Sequence, residues 1–296
     1  MVAQPADVSQ KPEASPGGSD LIPRILSAAV LAPLAIVAAY LPSSSYPEIG
    51  AWVFGLFWLL AAVAAWWEWT ALVSGRGREL LFFFGTSALV LAMVVSEFSM
   101  ARTRTPMLII ALGALAAGVF ARAERRLWVA GGLLYAGVLL TAPILLRRDP
   151  EYGFVVILFL FALVWATDVA GYFAGRAIGG PKLAPRISPN KTWSGAIGGA
   201  IGAMLAGGAV AAFAGIGNLT AIALVAFGLS VLAQAGDLFE SALKRRFGAK
   251  DAGNLIPGHG GVMDRLDGFI AAAAAAMALG LARAGMDMAA QGVLLW

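Results

Sequence analysis

Residues 152–175, YGFVVILFLFALVWATDVAGYFAG, decide the fold. Apart from Asp168 the stretch carries no charge, and its apolar residues run on without alternating with polar ones. A helix needs about 20 apolar residues to cross a hydrocarbon core about 30 Å thick, whereas a barrel strand needs only about 10 and alternates. The stretch therefore reads as a helix that crosses a bilayer.

Eight further runs of the same kind surround it, near 22–42, 50–74, 80–97, 106–121, 127–146, 194–214, 219–243 and 266–284. The composition of the 296 residues agrees, with 60% hydrophobic and 13% charged, against about 25% charged in a soluble domain. The expected fold class is all-α, a polytopic integral membrane protein of about nine transmembrane helices. An ordinary soluble globule and a disordered chain are excluded. Cysteine is absent and histidine occurs once, which removes disulfide frameworks, thiolate metal sites and multi-histidine metal sites.

Residues 1–20, MVAQPADVSQKPEASPGGSD, are polar and rich in Pro, Ser and Gly, and are expected to form a disordered cytoplasmic tail. They lack the charged start of a signal peptide, so the first apolar run is expected to stay as a span. N-terminal transmembrane helices fill 21–150, and 151–296 is expected to be the catalytic transmembrane region. With the N-terminus inside, most of the 21 Lys and Arg residues, among them Arg176, Lys182, Lys191, Lys244 and Arg265, fall on the cytoplasmic side, as the positive-inside rule requires. A formal charge of +4 in such a chain marks those loops, and no nucleic-acid partner is expected.

Acids are scarce in the apolar runs, and burying one in lipid costs about 2.5–3.5 kcal/mol near mid-membrane. Glu68, Asp168, Asp237 and Glu240 nevertheless lie in or at the ends of runs, all toward the inner side. Asp168, Tyr172 and Arg176 share one helix face, as do Asp237, Ser241 and Lys244, while Asp264 and Asp267 open the last span. Taken singly, each acid reads as a structural partner: Glu240 for Lys244, Asp168 for Arg176, Asp264 as a helix cap. Taken together, three acidic clusters beside the basic loops 176–193 and 244–265 suit a divalent cation and a polyphosphate. Ser188-Pro189-Asn190-Lys191-Thr192 adds hydroxyls and a cation, and His259-Gly260-Gly261 adds backbone N–H groups able to face an anion. The small-residue spacings Gly195/Gly199 and Gly198/Gly202 read as close helix packing. No Gly-rich phosphate loop of the common nucleotide-binding folds is present.

The run 241–267, SALKRRFGAKDAGNLIPGHGGVMDRLD, resembles the signature of the phosphatidate cytidylyltransferases, also called CDP-diacylglycerol synthases. Every defined position of that signature is filled, by Ser241, Lys244, Arg245, Lys250, Asp251, Gly253, Ile256, Pro257, His259, Gly260, Gly261, Asp264, Arg265 and Asp267. Asp168, Tyr172, Gly175, Arg176 and the 188–195 block are similar to the family's upstream motif, with Asn190 standing where that motif often has lysine. The resemblance covers about residues 155–285.

The resemblance implies a bacterial inner-membrane enzyme, a homodimer in the lipid bilayer with its site toward the cytoplasm. It implies that CTP and phosphatidate become CDP-diacylglycerol and pyrophosphate with Mg²⁺, K⁺ being a candidate second ion. Asp237 and Asp264 are the expected metal ligands, with Asp267 as a third or a support, and Asp237, Asp264, Lys244 and His259 are the expected catalytic group. His259 is expected chiefly as a phosphate or loop partner, with acid–base and structural roles left open. Ser188, Lys191, Thr192, Ser241, Arg245, Lys250, Arg265, Asp168 and Tyr172 are expected to line the substrate site. From a different class, an ion-coupled transporter or channel would also carry intramembrane acids.

Overall fold

The computed structural model describes residues 21–43, 46–74, 78–98, 104–256 and 260–296. The expected N-terminal tail and His259 lie outside the described residues. Each apolar run falls on a helix: α1 (Leu21–Tyr40), α2 (Pro47–Ser74), α3 (Glu79–Phe98), α4 (Arg104–Phe120), α5 (Arg126–Arg147), α6 (Gly153–Ile178), α7 (Trp193–Phe213), α8 (Leu219–Arg246) and α9 (Met263–Ala284). A short α10 (Ala289–Leu294) follows, and a two-stranded hairpin, β1 (Lys182–Ala184) with β2 (Ser188–Thr192), joins α6 to α7.

Among the described residues, seven helices are long and apolar enough to cross a membrane, and Val30–Ser43 and Arg104–Phe120 are shorter apolar stretches. The chain is a multi-pass membrane protein, and its helical class is the expected one. In hydrocarbon every backbone polar group must be satisfied within its own element, which is why the apolar runs become helices.

Aromatic side chains of α2 pack the centre of the bundle. Trp58 stacks on Phe269 of α9 with ring centroids 4.9 Å apart, and the Trp69 indole donates to the Trp128 carbonyl at 2.8 Å. Trp58, Trp66, Phe159, Leu133 and Leu160 are fully enclosed. The α6–α7 seam is closer still. A methyl group at Gly199 would stand 2.7 Å from the Thr167 carbonyl oxygen, and one at Gly195 would stand 2.9 Å from that of Gly171. The glycine spacings thus do what close helix packing asks of them. One buried polar contact spans α6 and α8, where the Thr167 and Ser230 hydroxyls meet at 2.8 Å.

Candidate active site

The C-terminal end of α6, the hairpin, the start of α7, the C-terminal end of α8 and the start of α9 meet at one end of the bundle. Gly179 and Gly180, with φ of 66° and 97°, take the left-handed conformation that turns α6 into β1. In the hairpin Lys182 pairs with Thr192 and Ala184 with Ser188. The Trp193 amide donates to the Pro181 carbonyl at 3.0 Å and closes the base. Thr192 then caps α7, its hydroxyl accepting from the Gly195 amide at 3.1 Å.

Between the hairpin and the helices lies a cavity of about 610 Å³. Asp168, Tyr172, Lys182, Lys191, Gln234 and Asp237 are among the residues that line it. Lys191, carried by β2, reaches across to form an ion pair with Asp237 of α8. Ser241, one turn further along α8, lies 3.4 Å from the other Asp237 oxygen. Asp168 stands within electrostatic reach of Asp237, Lys191 and Arg265. Tyr172 accepts from Arg176 at 2.8 Å. The Asp168–Arg176 pairing open to the sequence is therefore not formed: two helical turns separate those residues, and the guanidinium engages the nearer phenol at i−4.

A second polar cluster sits deeper, between α8 and α9. Lys244 lies 2.7 Å from Glu240 and 2.6 Å from Asp264. Asp264 also accepts from the Gly261 amide at 2.8 Å and the Ala252 amide at 3.1 Å. Of the structural roles that the sequence allowed here, the Glu240–Lys244 pair is present, whereas Asp264 does not cap α9: the cap position is Val262, and Asp264, already inside the first turn, accepts from amides that precede the helix. Asp267 accepts from the Gly268 amide at 2.8 Å and lies within reach of Asp237, Glu240 and Asp168. A side chain at Gly236 would strike the Asp267 carbonyl at 2.7 Å, so a glycine lets α8 and α9 approach here.

The two clusters differ in access. The Lys191 and Asp237 side chains are 28% and 31% exposed, those of Lys244 and Asp264 only 13% and 9%. Among the described residues, Asp264, Asp267, Lys244, Ser241 and Ser188 do not line the cavity. Arg245, Lys250 and Arg265 are exposed near the same end. Sequence reasoning placed neither Lys182 nor Gln234 in the site, and it noted Glu68 without giving it a role. Glu68 contacts the start of α9, and the only signal for that was an acid inside an apolar run.

Among the described residues no three acidic or histidine side chains converge to enclose a metal ion. Mg²⁺ seldom needs such a cage: one or two carboxylates, waters and substrate phosphates commonly hold it. Asp237 fits that mode, being partly open, backed by a hydroxyl and near two further carboxylates. Asp264 already accepts from three donors and would join only by giving one up.

Fold and site together define a polytopic helical membrane protein with a polar, lysine-bridged carboxylate site at one end of its bundle. The chain matches the model of the cytidylyltransferase family over residues 22–282. It is 43% identical over 261 residues to a phosphatidate cytidylyltransferase of Brucella suis biovar 1 (strain 1330), covering 86% of this chain and 92% of the relative. A phosphatidate cytidylyltransferase of Haemophilus influenzae is 44% identical over 130 residues, 42% of this chain and 45% of that one. One from Bacillus subtilis (strain 168) is 40% identical over 145 residues, 46% of this chain and 51% of that one. The chain belongs to the cytidylyltransferase family.

Proposed function

We propose that the protein is a phosphatidate cytidylyltransferase, converting CTP and phosphatidate to CDP-diacylglycerol and pyrophosphate at the cytoplasmic face of a bacterial inner membrane. The observation that carries the reading is the cavity: it presents Asp168 and Asp237 beside Lys182, Lys191 and Arg176 at the polar end of apolar helices. Such a place serves a substrate whose acyl chains stay in lipid and another that arrives from water.

The phosphatidate phosphate is an anion near neutral pH and attacks without a dedicated base. A phosphate oxygen forms a bond to the α-phosphorus of CTP, and the bond from that phosphorus to the bridging oxygen breaks. The electron pair leaves with pyrophosphate, and no proton is required. The barrier lies in bringing anions together and in the charge of the leaving group, so positioning and electrostatics supply most of the catalysis.

Lys191, Lys182 and Arg176 supply positive charge at the cavity wall, and Arg265, Arg245 and Lys250 supply more at its approach. Lys191 gives its ammonium to phosphate once Asp237 has another partner. Lys244 keeps Glu240 and Asp264 neutralised and so keeps the α8–α9 contact closed. Mg²⁺, held by Asp237 with Asp267 and Asp264 as further donors, would screen the triphosphate and stabilise pyrophosphate; K⁺ is a candidate second ion. The protein is proposed to act as a homodimer. The acids of the cavity and of the α8–α9 cluster lie at one end of the bundle, and Glu97 and Asp149 at the other end are engaged by Arg148 and by backbone amides, so no observation favours an ion path.

The test follows label from each of four nucleoside triphosphates into the lipid phase, with detergent-solubilised protein, phosphatidate and Mg²⁺. Label from CTP alone, with matching pyrophosphate release, is the expected result. Transfer from no nucleotide overturns the reading.

A further inference from the structure

Glu68 belongs to α2, far from the signature in sequence, and its side chain is 1% exposed. Both carboxylate oxygens are engaged: Oε1 accepts from the Val262 amide at 2.9 Å and Oε2 from the Met263 amide at 2.8 Å. These amides belong to the start of α9, where a helix leaves its first N–H groups without internal partners. The residue at the cap position is Val262, which has no side-chain acceptor. Glu68 supplies the missing cap from another helix, and its negative charge meets the positive end of the α9 dipole.

The cap fixes more than a helix end. Asp264 lies in that same first turn, and the amides that hold it belong to Ala252 and Gly261. Glu68 lies against this segment from its other side: a methyl group at Gly261 would stand 2.6 Å from Oε2, and one at Gly253 would stand 2.7 Å from Oε1. Glu68 holds the Val262 and Met263 amides, Met263 is followed directly in the chain by Asp264, and Asp264 accepts from Lys244, so two sets of hydrogen bonds meet across one turn of backbone.

We infer that Glu68 is a positioning residue, which fixes the start of α9 and the backbone at Gly253 and Gly261, and through them the orientation of Asp264 and Lys244. It touches neither substrate. This rests on the proposed reading of the reaction only where turnover is measured, and the placement itself is testable without turnover.

The experiment compares wild type, Glu68→Gln, Glu68→Ala and the control Thr70→Val in detergent. Thr70 is buried on the same helix, and its hydroxyl donates to the Trp67 carbonyl of its own turn. Amide hydrogen–deuterium exchange is read along the chain, and CTP-dependent pyrophosphate release is read in parallel. Glutamine keeps the shape but turns an N–H donor toward one of the two amides. The expected result for Glu68→Gln is roughly tenfold faster exchange confined to 252–266. Its kcat falls by about tenfold or more with the KM for phosphatidate within twofold, while Thr70→Val matches wild type. Glu68→Ala shows the same pattern more strongly. Unchanged exchange over 252–266 in Glu68→Gln overturns the inference, as does acceleration spread over the whole chain. Failure of wild type to release pyrophosphate would count against the proposed reaction and leave the exchange result to decide the positioning role.

Discussion

Lys244 of α8 and Asp264 of α9 meet at 2.6 Å, and the same ammonium lies 2.7 Å from Glu240. One cation thus serves two carboxylates, the Glu240 side chain being only 1% exposed. Removing one partner of a buried ion pair costs about 3–5 kcal/mol, because the remaining charge loses its compensation. Lys244→Met is expected to lower thermal stability in detergent and to abolish turnover. Adding Glu240→Gln should restore part of the stability and none of the activity. An unfolding midpoint for Lys244→Met equal to wild type would contradict the account.

Asp264→Asn keeps the size of the side chain but replaces one oxygen with an N–H donor facing the Ala252 and Gly261 amides. Turnover is expected to fall at least about a hundredfold, with membrane insertion intact, since losing a preorganised electrostatic contact costs on that order. His259→Ala is expected to cost less. Measuring kcat for both variants after equal membrane extraction decides the order.

Asp237 is the more accessible carboxylate, and its partner Lys191 is equally open. A chelator should stop pyrophosphate release and excess Mg²⁺ should restore it. Asp237→Asn should raise the Mg²⁺ concentration needed for half-maximal rate, read from a titration. Restoration in the variant at the wild-type concentration would remove Asp237 from that role.

The α6–α7 seam makes a sharp comparison of two glycines. A methyl at Gly199 would press to 2.7 Å on a backbone oxygen, whereas one at Gly208 meets nothing within 4 Å. Overpacking of this kind costs about 1–3 kcal/mol, and alanine in an open helical position gains up to about 1 kcal/mol over glycine. Gly199→Ala should lower the unfolding midpoint, and Gly208→Ala should hold or raise it.

Thr192→Val removes the hydroxyl that accepts from the Gly195 amide, at a cost of about 1 kcal/mol. Because Lys191 precedes it, activity should fall further than stability suggests, and Thr192→Ser should recover both. Thermal unfolding and initial rates on the three proteins check this.

The helices were legible because continuous apolar runs leave lipid-spanning chains no other way to satisfy their backbone. Asp237, Ser241 and Lys244 were legible as a set because helical periodicity puts them on one face, and Asp237 does meet Ser241 there. The hairpin was not. Its strands, KLA and SPNKT, are only three and five residues long, too short to show an alternation, and the 176–193 stretch reads as a loop. Nor was the Lys191–Asp237 pair, which depends on where that hairpin swings. Arg176 shows the limit of face arguments: sharing a stripe with Asp168 did not bring the two together across two turns.

The carboxylate of Glu68 fills the space that a side chain at position 261 would need. Each site therefore tolerates change only if the other changes with it: an acid of this length at 68 demands hydrogen at 261, and a bulkier 261 demands a shorter 68. The two positions, 193 residues apart on the chain, should drift as a couple or stay fixed together.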